Sequence, residues 1–192
     1  DSNCVGCGQC AAVCPTGAII IKNDSHRLWK ELNQEDTIAV AQVAPAVRVA
    51  VAKEFGYNGE NVMGKIVAAL RRIGFNYIFD TSTAADLTVM EESKEFADRL
   101  ANGGKLPLFT SCCPAWIKYA ENEYPEILPN ISTCRSPMQM FASVINEKFK
   151  GEGKKILSVA VMPCTAKKGE AARDEFKDEN GKPLVDFVIT TQ

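Results

Sequence analysis

This chain has little charge of one sign. Its 22 Lys and Arg face 24 Asp and Glu, for a net charge of −2, so no basic field points to nucleic acid. No apolar run approaches the roughly 18 residues that a membrane span requires, and no secretory signal pattern is visible. Internal repeats and low-complexity segments are also lacking. Histidine occurs once, at His26 in the polar segment Lys22–Arg27, and reads as an exposed loop residue. Eight cysteines are too few for a disulfide scaffold in 192 residues, and their spacing suits metal instead. Thiolate ligands imply a reducing, cytoplasmic setting. The 46% hydrophobic and 24% charged content is that of an ordinary globular chain with one sizeable core and a small appendage. The sequence opens at Asp1, almost inside a motif, and stops at Ile189-Thr190-Thr191-Gln192. Both ends are expected to continue in a longer protein.

What is present begins with cysteine. Cys4-Val5-Gly6-Cys7-Gly8-Gln9-Cys10-Ala11-Ala12-Val13-Cys14-Pro15 has the spacing of a bacterial ferredoxin run that ends in Cys-Pro. Gly6 and Gly8 let the backbone coil between the sulfurs. Structural zinc sites usually take two ligands locally and two from afar, whereas four cysteines within 11 residues fit a 4Fe–4S cubane. In two-cluster ferredoxins the fourth cysteine serves the other cluster; by that rule Cys4, Cys7 and Cys10 hold one cluster and Cys14 serves a second, whose remaining ligands are expected upstream of Asp1. Thr16 to Ile21 reads as a turn and a short strand. Residues 1–33 are therefore read as a partial ferredoxin-like iron–sulfur unit, with residues 27–36 as a helical connector.

From Thr37 the pattern alternates between strand and helix. Strands are expected at Thr37–Val43, Asn76–Asp80, Leu106–Phe109, Ile156–Val161 and Phe187–Ile189. Helices are expected at Ala46–Phe55, Val62–Ile73, Ala84–Leu100, Pro114–Tyr124, Pro137–Lys150 and Lys167–Phe176. Such alternation predicts an α/β fold, a parallel sheet flanked by helices, over residues 34–192.

Within it, Ser111-Cys112-Cys113-Pro114 reads as strand, tight turn and helix, with proline at the first helical position. Adjacent cysteines rarely bridge, because the geometry is strained. Buried, inert thiols are one reading of the pair. Yet Ala44-Pro45, Cys112-Cys113 and Met162-Pro163-Cys164 each follow a predicted strand, and a parallel sheet gathers such segments at its carboxyl edge. Three sulfurs there favour a second metal centre.

Two of these stretches also carry a resemblance. Thr110-Ser111-Cys112-Cys113-Pro114-Ala115-Trp116 and Met162-Pro163-Cys164-Thr165-Ala166-Lys167-Lys168 resemble the first two active-site motifs of the iron-only hydrogenases. Their order, the upstream ferredoxin run and Asp86-Leu87-Thr88-Val89-Met90-Glu91-Glu92 match as well, and the Ala115 form is similar to multimeric, NADH-linked members. The resemblance implies an H-cluster: a cubane joined through one cysteine to a diiron unit that carries CO, cyanide and azadithiolate. Cys113 and Cys164 match two cubane ligands. The other two belong to a third motif, which this sequence does not reach, so the chain alone is expected to be incomplete.

Further roles follow from the same resemblance. Cys112 matches the proton-passing thiol, and Glu92, Glu95, Ser132 and Arg99 match the positions that lead protons outward. Lys167 matches a cation beside cyanide. Met162 and Pro45 match pocket walls, with Ala44 a backbone donor. Ala46 and Met138 depart from the family, standing where serine and glutamine are common. Without the resemblance, Glu92, Glu95 and Arg99 at i, i+3 and i+7 read as a solvated helix face with one ion pair. Cys134 has no assigned role beyond that of a buried thiol.

The implied activity is reversible reduction of protons to H2. The implied partners are a ferredoxin or NADH-linked electron-transfer subunits and the remainder of the catalytic subunit, with no nucleic acid and no membrane span. The rival readings are an iron–sulfur assembly or scaffold protein, a hydrogen sensor, and a plain electron-transfer ferredoxin.

Overall fold

Four apolar runs form one parallel sheet in the computed structural model, which describes residues 3–57 and 59–191. The expectation about the chain ends falls partly on Asp1, Ser2 and Gln192, outside the described residues. Two helices, α1 (Gln9–Val13) and α2 (Ser25–Leu32), precede the sheet. Strand β1 (Thr37–Val43) leads to α3 (Pro45–Glu54), α4 (Met63–Ile73) and β2 (Tyr77–Asp80). Then come α5 (Ser82–Asn102), α6 (Pro114–Glu123), α7 (Pro137–Lys148) and β3 (Lys155–Met162). Helix α8 (Ala166–Ala171) and β4 (Phe187–Thr190) complete the order.

The strands stand in the order β2-β1-β3-β4, and every pairing is parallel. The two central strands are nearly continuous in Val, Ile, Leu and Ala, because helices cover both faces of a parallel sheet. Their side chains alternate with period two. Ala39, Ala41, Leu157, Val159 and Phe187 pack with Leu28 and Phe75. Val40 packs with Phe141, Ile145 and Phe149 of the α7 layer, and Ala160, Met162 and Val188 join Met138 and Ala142. A long polar side chain crosses this apolar layer. Gln42 is fully buried in β1, and its Nε2 donates to the Met138 carbonyl at 3.0 Å, which fixes the first turn of α7 over the sheet.

Proline and serine set where several helices begin. Pro45, Pro114 and Pro137 each sit in a first turn, where a missing N–H is no loss. Ser136 caps α7 by accepting from the Gln139 amide.

The structure corrects five expectations. Leu106–Phe109 is not a sheet strand. It makes an isolated parallel bridge, Phe109 to Ile131, through Phe109 N–H to Asn130 O (2.8 Å) and Ser132 N–H to Phe109 O (2.7 Å). Pro107 has no N–H to donate, which keeps so short a run out of a central ladder. The stretch Ile19–Ile21 is not a strand either. Among the described residues the sheet therefore has four strands rather than five. His26 is exposed as expected but lies in the first turn of α2, not in a loop. The predicted helix 167–176 breaks into α8 and a short 3-10 turn, Asp174–Phe176. Arg173 turns to an extended conformation there, its guanidinium held by Glu121 of α6 and by Glu175.

The N-terminal unit is docked on the sheet rather than tethered loosely. Leu28 belongs to the core, and Lys168 Nζ joins Asp24 (3.3 Å) to the Val188 carbonyl (2.6 Å). Leu157, 1% exposed at the centre of β3, should show how far the sheet carries the fold. Leu157→Ala is expected to lose about 2–5 kcal/mol of unfolding free energy, read as a lower urea midpoint with unchanged slope. A loss under about 1 kcal/mol would contradict the central place given to β3.

Candidate active site

The carboxyl ends of β1 and β3 lie side by side, because Val43 is in register with Val161. Ala44 N–H donates to the Val161 carbonyl at 2.9 Å, so Ala44-Pro45 and Met162-Pro163-Cys164 emerge together. Ala44 and Met162 are buried, while Pro45 is exposed. Cys112 and Cys113 join this edge by another route than the expected strand. Lys167 Nζ, two residues into α8, donates to the Cys112 carbonyl at 2.9 Å and pairs with Glu170 at 2.6 Å. The Lys167 and Glu170 side chains are 12% and 5% exposed. Removing one partner of so buried a pair leaves the other charge unpaired, at about 3–5 kcal/mol.

Sequence reasoning thus placed the three segments at one edge correctly and gave the wrong reason for the middle one. Cys112 and Cys113 are exposed and Cys164 half-buried, all as free thiols. Cys113 is the N-cap of α6, so its backbone is fixed by the start of that helix.

Behind the Cys112 turn runs a polar network. Ser132 is buried, and its hydroxyl donates to Glu95 Oε2 at 2.7 Å. The Thr133 amide reaches both Glu95 oxygens, at 3.2 and 3.1 Å. Arg99 donates to Glu95 Oε1 from Nε (3.1 Å) and Nη2 (2.6 Å). Its remaining N–H groups reach the carbonyls of Lys105 (3.1 Å), Pro129 (2.9 Å) and Ile131 (2.9 Å). That uses all five guanidinium donors, so Arg99 is a fixed cation that braces Glu95 and two loops. Gly104 leaves room for it, since a Cβ there would stand 2.9 Å from Arg99 Cβ and Cγ.

Burial pushes the Glu95 carboxyl up, but hydrogen bonds from Ser132, Arg99 and Thr133 and the Arg99 charge outweigh it and hold it below its ordinary value. Glu92 lies on the same face, with Oε1 buried and unpartnered. Neither Glu92 nor the Cys112 thiol is hydrogen-bonded to Ser132. The structure therefore brings together Glu95, Ser132 and Arg99, and leaves Glu92 beside them.

Sequence reasoning missed Cys134 and Ser111. Ser111 Oγ donates to the Cys134 carbonyl at 2.5 Å. The Cys134 thiol lies 3.7 Å from Glu95 Oε2. Burial raises its pKa above that of an ordinary thiol, against a lowering bond from Ser132. No sequence signal marked either residue, since the contacts cross 23 and 39 positions.

At the N-terminal unit, Gly6 and Gly8 take positive φ, 73° and 79°, on either side of Cys7, and coil the backbone between Cys4 and Cys10. Gly6 N–H points at Cys4 Sγ at 3.4 Å. The Cys14 thiol is lowered to about 7, first by the Thr16 hydroxyl and then by backbone N–H groups of Ile19, Thr16 and Ala18. Sulfur donors ringed by amides fit an iron–sulfur cluster. Among the described residues, no three His, Cys, Asp or Glu side chains converge as a single-ion site. The loop also touches the other centre: Thr165 Oγ1, next to Cys164, donates to the Gly6 carbonyl at 2.7 Å.

Comparison with known proteins agrees with this geometry. The family described as "Iron only hydrogenase large subunit, C-terminal domain" matches residues 37–192, and a 4Fe-4S binding domain matches residues 1–20. The chain belongs to the iron-only hydrogenase family, and its cofactors are iron–sulfur. It is 46% identical over 203 residues to the NADP-reducing hydrogenase subunit HndD of Solidesulfovibrio fructosivorans, covering 100% of this chain and 34% of that protein. Identity to the periplasmic Fe hydrogenase large subunit of Nitratidesulfovibrio vulgaris is 41% over 231 residues, covering 100% and 55%. The cytosolic iron-sulfur assembly component 3 of Bos taurus is 35% identical over 207 residues, covering 98% and 43%.

Among solved structures, a variant of apo FeFe-hydrogenase HydA1 from Chlamydomonas reinhardtii superposes with TM-score 0.80 at 36% identity, covering 88% of this chain and 46% of that one. The chain thus spans between a third and about half of these relatives' lengths. No helix among the described residues is long and apolar enough to cross a membrane. One of these relatives carries a periplasmic name and another a cytosolic one.

The network yields a pH test. A carboxyl held low in the folded state adds stability that is present above the unfolded value and lost as pH falls through the folded one. Glu95→Gln should therefore lower the urea midpoint at pH 7, and the gap from the parent should close as the solution is acidified below the ordinary glutamate range of about 4.3. A gap that is constant or widens on acidification would contradict the assignment.

Proposed function

We propose that this chain supplies one side of the catalytic centre of an iron-only hydrogenase that interconverts protons, electrons and H2. The observation that carries the reading is the Lys167 contact, which sets the exposed Cys112-Cys113 turn beside Cys164 at one sheet edge. In this reading, residues 34–192 form part of the catalytic domain and residues 1–33 an iron–sulfur unit for electron input. Cys113 and Cys164 are thiolate ligands to the H-cluster cubane, and Cys4, Cys7, Cys10 and Cys14 are the iron–sulfur ligands of the N-terminal unit, with Cys14 serving a second cluster. When bound, the H-cluster supplies the redox chemistry of hydrogen.

The protein's own groups do the rest. Cys112 offers an exchangeable proton from a turn whose carbonyl is pinned by Lys167. The Ser132 hydroxyl hands its proton toward Glu95 Oε2 and takes another from inside. Glu95, braced by Arg99, stays anionic and ready to accept, with Glu92 as the inner carboxylate of the same face. Lys167 places a cation beside the site, where charge-assisted donation suits an anionic ligand. Ala44 and Met162, buried at the ends of β1 and β3, and the exposed Pro45 would wall the cluster pocket. A ferredoxin or NADH-linked subunits would deliver electrons, the rest of the catalytic subunit would complete the ligand set, and the cytoplasm is the proposed location.

The kinship to an iron–sulfur assembly component supports a second reading, a protein with the same cysteines and no turnover. A hydrogen sensor is a variant of the first. The test uses the chain extended to its relatives' full length, co-expressed with maturation factors and purified without oxygen. Infrared bands of metal-bound CO and cyanide together with hydrogen evolution are expected. Clusters present without those bands would favour the assembly reading and overturn the first.

A further inference from the structure

Cys134 stands where two separate parts of the site meet. Its carbonyl accepts from Ser111 Oγ at 2.5 Å, one residue before Cys112. Its N–H donates to Ser132 Oγ at 3.1 Å, and its thiol faces Glu95 Oε2 at 3.7 Å. The short Phe109–Ile131 bridge holds the two loops in register. Two cavities flank the residue. An inner one of about 440 Å³ is lined by Ser111, Ser132 and Cys134. An outer one of about 490 Å³ is lined by Glu95, Arg99 and again Cys134. The strand of backbone at 132–134 is thus a thin wall, and Ser132 and Cys134 both reach across it to one carboxylate.

We propose that Cys134 is a positioning residue, the joint through which the turn carrying Cys112 sets the geometry of Glu95. The idea rests on the proton-relay reading above, which it deepens. Each of the three bonds uses a different group of one residue, so a shift of the Cys112 turn cannot leave the carboxylate untouched. Ser111 pulls on the carbonyl, the same peptide chain carries the N–H that orients Ser132, and Ser132 and the thiol share one Glu95 oxygen. The thiol adds a weak donor to an anion, which favours the charged carboxylate. The charged groups facing Glu95 are Arg99 and Glu92 on its own helix, with Glu91, Lys94 and Asp98 around the outer cavity. The facing loop, residues 131–136, contributes the Cys134 thiol, while its Arg135 turns away to Ser143 and the Phe176 ring.

The test is a carbon-detected NMR titration of the Glu95 carboxyl in the 192-residue chain, which requires no hydrogen turnover. Cys134→Val keeps the bulk and removes the donor. It should raise the Glu95 midpoint, because the carboxylate loses a donor, and Cys134→Ser should restore it. Ser111→Ala is the decisive variant. Ser111 has no bond to Glu95, yet it should move the midpoint in the same upward direction. A Glu95 midpoint unchanged in Ser111→Ala overturns the joint, even if Cys134→Val fails to fold. A Cys134→Ser variant that shifts as far as Cys134→Val also overturns it. Either result would leave the hydrogenase reading standing. A chain without hydrogen activity would leave this coupling measurable.

Discussion

Lys167 Nζ lies 2.9 Å from the Cys112 carbonyl and 2.6 Å from Glu170, and the site is assembled around that nearly buried cation. The sheet delivers two of the three segments by register alone. The third, the Cys112-Cys113 turn, belongs to no strand of the sheet and needs an external hold. An ammonium paired on one side and donating on the other serves well, because its charge is compensated and its geometry fixed from two directions. Lys168 next to it performs the matching task on the far side of α8, where it joins Asp24 to β4. Consecutive lysines thus fasten the cysteine turn and the N-terminal unit to one short helix.

The same economy governs the acidic network. Glu95 lies on a partly shielded face of α5, where an isolated carboxylate would be destabilised. Arg99, one helical turn on, spends all five donors around it. The cation keeps Glu95 ionised and also ties down the backbone at Lys105, Pro129 and Ile131, the loops that carry Phe109 and Ser132. Electrostatics and loop geometry are therefore one problem with one solution. The missing side chain at Gly104, against which Arg99 packs, is part of it.

Much of this was legible in the sequence. Val-, Ile- and Ala-rich runs announced β1 and β3, prolines announced the helix starts, and the cysteine run announced its cluster chemistry. Strand-end logic put Ala44-Pro45 and Met162-Pro163-Cys164 on one edge. It failed for Leu106–Phe109, because a four-residue apolar run looks the same whether it enters a ladder or makes a single bridge. The Glu95–Arg99 pair was readable from i, i+4 spacing as an ordinary surface pair. Its burial was not readable, since that depends on Ser132 and Thr133 folding over it from another loop. Ser111 and Cys134 carried no signal, because their roles rest on a backbone carbonyl and a contact between loops. The binding of the Gly6 loop to Thr165 was hidden for the same reason, and it is what brings the two cysteine groups near each other.

The central claim is that adjacent cysteines divide the work: position 113 ligates and position 112 carries the proton. It is tested most directly by iron content and hydrogen evolution of Cys112→Ser and Cys113→Ser in the completed protein. Hard oxygen in place of a soft thiolate should strip iron from the Cys113 variant. The Cys112 variant should keep its iron and lose turnover by a factor of about 100 or more, because general acid–base transfer depends on a matched pKa. Equal loss of iron in both, or near-normal turnover in Cys112→Ser, would contradict the account.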